Sequence, residues 1–162
     1  MTFILSKQRD TDVAKAFERY RKYLDSSKHI FPPSAFELAT SQWYFDPAEH
    51  KCPHDGWLET CAIAEASSGG KNEFRIVTIT NTLLVAYHDG YIRFYYPKVF
   101  AYRLDSISTE SGHQDWRFDE FRVSDSGRLV HEIEWCGDKH TAKWSIEADD
   151  VQLIWMPLNM AE

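Results

Sequence analysis

Few of the features that announce a function on their own occur in this 162-residue chain. No window approaches the roughly 18 consecutive apolar residues that a membrane-spanning helix needs. The opening residues, MTFILSKQRD, lack a basic segment, a long apolar run and a small-residue cleavage site, so no secretory leader is expected. Cysteine is scarce and odd in number, with Cys52, Cys61 and Cys136 alone. That excludes a complete disulfide framework and predicts free thiols in a reducing cytoplasm. Gly-x-Gly-x-x-Gly, a phosphate loop and Gly-x-Ser-x-Gly are all missing, as is the βαβ spacing that would support them. No internal repeat is present. Basic residues are in deficit, 18 Lys and Arg against 25 Asp and Glu, for a net charge of −7. Phosphate backbones repel such a chain, so direct nucleic-acid binding is not expected.

What is present is a globular composition, 43% apolar and 27% charged, with 15% aromatic residues. A chain of this size buries enough surface to fold as one domain without a metal or a disulfide. The acidic excess is local. Residues 105–150 hold 12 acids against 5 bases, and this stretch therefore accounts for the whole net charge. A basic protein partner would be steered toward it.

Hydrophobic periodicity changes once along the chain. Between Thr11 and Leu24, Val13, Phe17, Tyr20 and Leu24 recur at helical spacing, opposite charged Lys15, Glu18, Arg19 and Lys22. Asp10 and Asp12 favour the start of that helix, and Arg21 and Lys22 its end. Pro32-Pro33 closes the segment, and Ser34 is placed to cap a short second helix through Phe36–Thr40, with Glu37 completing a capping box.

From Trp57 onward the period is two. Strands are expected at Trp57–Ala66, Glu73–Tyr87, Tyr91–Tyr96, Val99–Leu104, Trp116–Val123, Arg128–Trp135, Thr141–Glu147 and Val151–Met156. Turns are expected at 67–70, at Asp89-Gly90 (a tight hairpin), at Tyr96-Pro97, at 124–127 and at Gly137-Asp138. Connections this short leave no room for crossover helices. The expected fold is α+β: a single domain, mostly antiparallel sheet in a meander or partly closed barrel, with the N-terminal amphipathic helix packed on it.

Two clusters carry candidate chemistry. His50, Cys52, His54 and Asp55 fall within six residues, and alternate side chains of an extended loop point the same way. Zinc would find His50, Cys52 and His54 as ligands there, and the same loop is the alternative centre of a small metal-assisted or thiol-dependent hydrolase. Pro53 inside the run, and no second half-site among Cys61, His88, His113, His131, His140 and Cys136, favour instead a turn that opens the strand at Trp57. Cys52 or Cys61 with His54, and Ser124 with His131, have nucleophile and base residue types without a supporting motif. His131, on an apolar strand face, is expected to be a hydrogen-bonded core histidine.

The second cluster is acidic. Asp115, Trp116, Asp119 and Glu120 begin one strand, and Glu132 and Glu134 share the polar face of the next. Together they are the expected binding surface, with Trp116 as an anchor among charges. The segments Cys52-Pro53-His54-Asp55-Gly56-Trp57-Leu58-Glu59, Ala86-Tyr87-His88-Asp89-Gly90-Tyr91-Ile92 and His131-Glu132-Ile133-Glu134-Trp135 resemble small uncharacterised bacterial β-rich proteins in which a His-Asp pair opens the first strand. Some proteins of this look are immunity proteins of polymorphic toxin systems. The resemblance implies a compact, acidic, cytoplasmic binding protein and carries over no catalytic residue. The sequence thus predicts a non-enzymatic protein-binding module, with no required cofactor and no membrane association.

Overall fold

The Asp12 carboxylate accepts the Lys15 N–H at 2.9 Å and so begins the first helix, α1 (Val13–Ser27). The helix runs three residues past the expected end and passes into a 3-10 turn, Lys28–Ile30, before the prolines stop it. Tyr20 and Leu24 are buried and Phe17 packs beside them, whereas Val13, expected on the same stripe, is exposed. The second helix, α2 (Pro33–Thr40), starts one residue before Ser34. Its cap is tertiary. The Asp150 carboxylate, 116 residues away, accepts the N–H groups of Ser34 and Ala35 at 3.1 and 2.9 Å, a partner that local sequence does not reveal.

The structure, a computed structural model, describes residues 1–5, 7–106, 110–137 and 141–158. Within them lie seven strands: β1 (Trp57–Ala66), β2 (Ile76–Leu84), β3 (Gly90–Leu104), β4 (Asp115–Val123), β5 (Leu129–Cys136), β6 (Thr141–Ala148) and β7 (Gln152–Pro157). All strand pairs are antiparallel, in the order β2-β1-β4-β5-β6-β3-β7, and β2 also pairs with β3. The sheet therefore curls into a ring without becoming a barrel. Between β1 and β4 it is held by one residue pair, Trp57 with Asp115, backed by the Asp55 N–H to Trp116 O at 2.8 Å and the Trp116 N–H to Gly56 O at 2.9 Å.

Two expected turns are not turns. Tyr96-Pro97 lies inside the 15-residue β3, which exchanges β2 and β7 for β6 as neighbours around Val99. Pro97 lacks an N–H and falls where the β2 register shifts, so a bulge absorbs it and bends the strand. Asp89-Gly90 is not a two-residue hairpin: residues 85–89 separate β2 from β3, and His88 takes a positive φ of 57°. Gly90 is needed for a different reason, since a β-carbon there would strike the Trp155 indole. The turn at 124–127 forms as expected, whereas the one expected at 67–70 lies three residues later, closed by the Glu73 N–H to Gly70 O at 3.4 Å. Gly137 ends the described segment, and Asp138, like His140, lies outside the described residues.

The core lies inside the ring and beneath the helices, built on Trp116, Trp135, Phe94, Phe121, Tyr96, Ile79 and Leu83, all at most 1% exposed. Where the ring opens, α1 closes β4. The Tyr20 hydroxyl accepts the Phe121 N–H at 2.8 Å and donates to the Phe121 carbonyl at 2.9 Å, and the Tyr23 hydroxyl accepts the Val123 N–H at 2.8 Å. Two phenols thus satisfy an edge that another strand would otherwise have to cover.

Candidate functional site

The acidic cluster turns inward. Trp116, Asp119 and Glu120 are at most 2% exposed and Glu134 is 9% exposed, so they form no open recognition face. Of the six residues expected there, Asp115 and Glu132 alone are half-exposed. The physical reason is pairing: each buried carboxylate meets donors that local periodicity does not reveal.

Asp119 lies at the centre of a closed network in the ring. One oxygen accepts the Tyr44 hydroxyl at 2.6 Å and meets His131 Nε2 at 2.8 Å, and the other accepts the Trp116 indole N–H at 3.0 Å. His131 Nδ1 meets the Tyr96 hydroxyl at 2.7 Å. With the proton on Nε2, His131 donates to Asp119 and accepts from Tyr96, so both ring nitrogens have a partner. Burial raises the Tyr44 and Tyr96 hydroxyls well above the ordinary phenol value, and the Asp119 charge adds to the effect. His131 is therefore the hydrogen-bonded core histidine that the strand pattern implied. Ser124 bonds Ser126 and Glu147 instead of His131. Beside Tyr96 lies the fully buried Asn81.

Glu120 and Glu134 hold the N-terminal strap. One Glu120 oxygen accepts the successive N–H groups of Phe3, Ile4 and Leu5 at 2.9, 2.7 and 3.2 Å, with Arg122 3.0 Å from the other oxygen. Burial lifts the Glu120 carboxyl above its ordinary value, against the pull of those donors. Arg122 also pairs with Glu132. Arg9, 6% exposed, reaches Glu134 and the Ile4 carbonyl at 3.0 and 3.2 Å and lies 4.5 Å over the Phe118 ring.

The 50–55 loop does not gather its donors. His50 pairs with Asp89 and stacks on Tyr87 at 4.2 Å. Cys52 is buried and donates to the Tyr44 carbonyl at 3.1 Å, and burial pushes its thiol up to about 12. His54 packs edge-on to Phe118 and lies 3.1 Å from Asp55. Three side chains that share a parity in sequence thus have three separate destinations, because Pro53 and a turn interrupt the extended backbone. No group of three or more His, Cys, Asp or Glu among the described residues could hold a metal ion. A neutral, buried thiol is also a poor nucleophile.

The exposed feature is the β1–β2 hairpin. Beyond Trp57, no described strand pairs with the outer edge of β1, and Glu59 to Ala66 are exposed apart from the half-buried Cys61. Leu58, Cys61, Ile63 and Glu65 lie across from Leu83, Asn81, Ile79 and Val77, and so share the inner face. Ile63 on that face is nevertheless 44% exposed, because the ring is open there. Natural edges are usually blunted by Lys or Pro. β1, WLETCAIAEA, has neither, and its protection is a bulge at Glu59 and one charge, Glu65, on the inner face. β7, the other edge, ends on Pro157.

At the hairpin tip the Glu73 carboxylate accepts the Ser67 and Ser68 hydroxyls and the Ser68 and Gly70 N–H groups, which hold it down at about 2. Phe74 next to it is 99% exposed. At the base of the hairpin the half-exposed Trp57 indole donates to Asp115 at 2.8 Å and meets His88 edge-on at 4.9 Å. A cleft of about 310 Å³ opens there, lined among others by Trp57, Glu59, His113, Gln114 and Asp115. The sequence placed β1 correctly. Its edge position depends on which strands become neighbours, and the absence of Lys and Pro was the one sequence signal available.

The chain matches no protein-family model, and no curated protein or solved structure matches it. No helix of the described residues is long and apolar enough to cross a membrane.

Proposed function

We propose that this chain is a non-enzymatic protein-binding module, an immunity-like inhibitor that takes a basic partner at the open edge of β1 and works in a reducing cytoplasm. The observation that carries this reading is the unpaired, exposed strand edge at residues 59–66. Such an edge offers a row of N–H and C=O groups to an extended segment, and main-chain hydrogen bonds supply the affinity. The residues with catalytic types support the reading from the other side: Asp119, His131, Glu120 and Cys52 are buried and bonded to the protein itself. The net charge of −7 draws a basic protein toward the molecule.

The test is a displayed library of random twelve-residue peptides, panned on the wild type and on a variant carrying Ile63→Lys and Ala64→Pro, with the variant's fold checked by circular dichroism. Sequences enriched by the wild type and lost on the folded variant are expected. Equal enrichment on both proteins, or none on either, would refute binding at this edge.

A further inference from the structure

The open edge of β1 ends at a place suited to one kind of side chain. Trp57 is 50% exposed, and its indole is fixed by the bond to Asp115 and the edge contact with His88. Glu59 and Asp115 line the cleft beside it, and Asp55, 58% exposed, lies just before the strand. Glu59 and Asp115 are not within ion-pair distance of a described Lys, Arg or His, whereas Asp55 lies 3.1 Å from His54. A fixed indole face with carboxylates around it and no cation of its own matches a guanidinium or ammonium in charge and shape. Farther along, Glu65 does have a cation, Arg75 at 3.4 Å, so the unneutralised charge concentrates at the Trp57 end.

We infer that the segment docking on β1 is an extended strand that brings an arginine or lysine to the Trp57 end, over the indole and between Glu59 and Asp115. This rests on the reading of β1 as the docking edge and specifies what docks there. Toward Ile63 the same strand presents apolar side chains to the half-covered inner face, where no described strand lies beside Cys61 and Ile63 on the outer edge of β1. A second copy of β1 would bring no cation, because the strand contains none.

The probes are blocked ten-residue peptides of alternating Val and Thr with one terminal Arg, made with Arg at either end, and the same peptides with neutral citrulline in its place. Titration is followed by calorimetry and by amide hydrogen exchange. The expected result is protection of residues 59–66 by an Arg peptide, with citrulline binding about tenfold more weakly, the sum of an exposed cation–π contact and a surface ion pair. Glu59→Gln with Asp115→Asn should abolish that preference, so that the Arg and citrulline peptides bind the variant equally. Equal affinity of Arg and citrulline peptides, with 59–66 still protected, overturns the cation site and leaves the docking edge standing. Binding without protection of 59–66, or no binding by any of the peptides, overturns both.

Discussion

The contact between α1 and β4 allows a quantitative test. Tyr20 is 1% exposed, and its hydroxyl answers both the N–H and the C=O of Phe121. Tyr20→Phe keeps the ring and its packing but removes the hydroxyl that answers both groups. Each orphaned group costs about 1–3 kcal/mol, and the tyrosine hydroxyl no longer has to be buried, so the net loss is about 2–4 kcal/mol. For a chain of this length that corresponds to about 5–15 °C in Tm. Tyr23→Phe removes one bond, to the Val123 N–H at 2.8 Å, from a half-buried site and should cost about 1 kcal/mol. Urea and thermal unfolding of both variants measure the difference. If Tyr20→Phe falls within about 0.5 kcal/mol of wild type, or Tyr23→Phe is equally damaging, the phenols are not satisfying the β4 edge.

Four further outcomes follow from the same reasoning. Burial holds the Glu120 carboxyl above 4.5, so its favourable contribution is complete below 4.5 and is lost as pH rises through the folded value. Glu120→Gln keeps an acceptor for the strap without the charge, and should gain stability relative to wild type between pH 4 and pH 8 in urea titrations; a constant difference contradicts the assignment. Burial lowers His113 below 6.5 beside Trp135 and Trp144, so its contribution is present above 6.5 and is lost as pH falls through the folded value. Its NMR titration should have a midpoint below 6.5, and one at or above that value refutes the burial argument. Cys52, buried and with its thiol pushed up to about 12, should be the last of the three cysteines alkylated by iodoacetamide at pH 8, and early modification would contradict its placement. Asp150→Ala should cost about 1–2 kcal/mol and loosen α2, read by exchange of the Ser34 and Ala35 amides.

Local periodicity carried the architecture well. The three-and-four spacing of Phe17, Tyr20 and Leu24 gave α1, and strict alternation gave β5 and β6, because one face of each element packs on the core and the other does not. The same rule misled where a polar residue lies inside. Glu134 alternates with Ile133 and reads as solvent-facing, yet Arg9 from the distant strap meets it. Glu120 and Asp119 read as acids in a charged strand, yet the amides of Phe3 to Leu5 and the Tyr44, Trp116 and His131 side chains accompany them inward. Pro97 read as a turn because its missing N–H disqualifies it from a regular ladder, and a bulge removed the objection.

The sequence by itself thus determined the α+β class, the antiparallel connections, the position of α1 and the burial of His131. These depend on spacings within one element or on loops too short for a crossover. Tertiary structure alone decided that the acids would be buried, that His50, Cys52 and His54 would part, that Asp150 would cap α2, and that β1 would be an edge. Most of those outcomes depend on a partner dozens of residues away, as with His50 on Asp89, Asp150 on Ser34 and Glu120 on the N-terminal strap, and a carboxylate's position is set by the donors that reach it after the chain has closed.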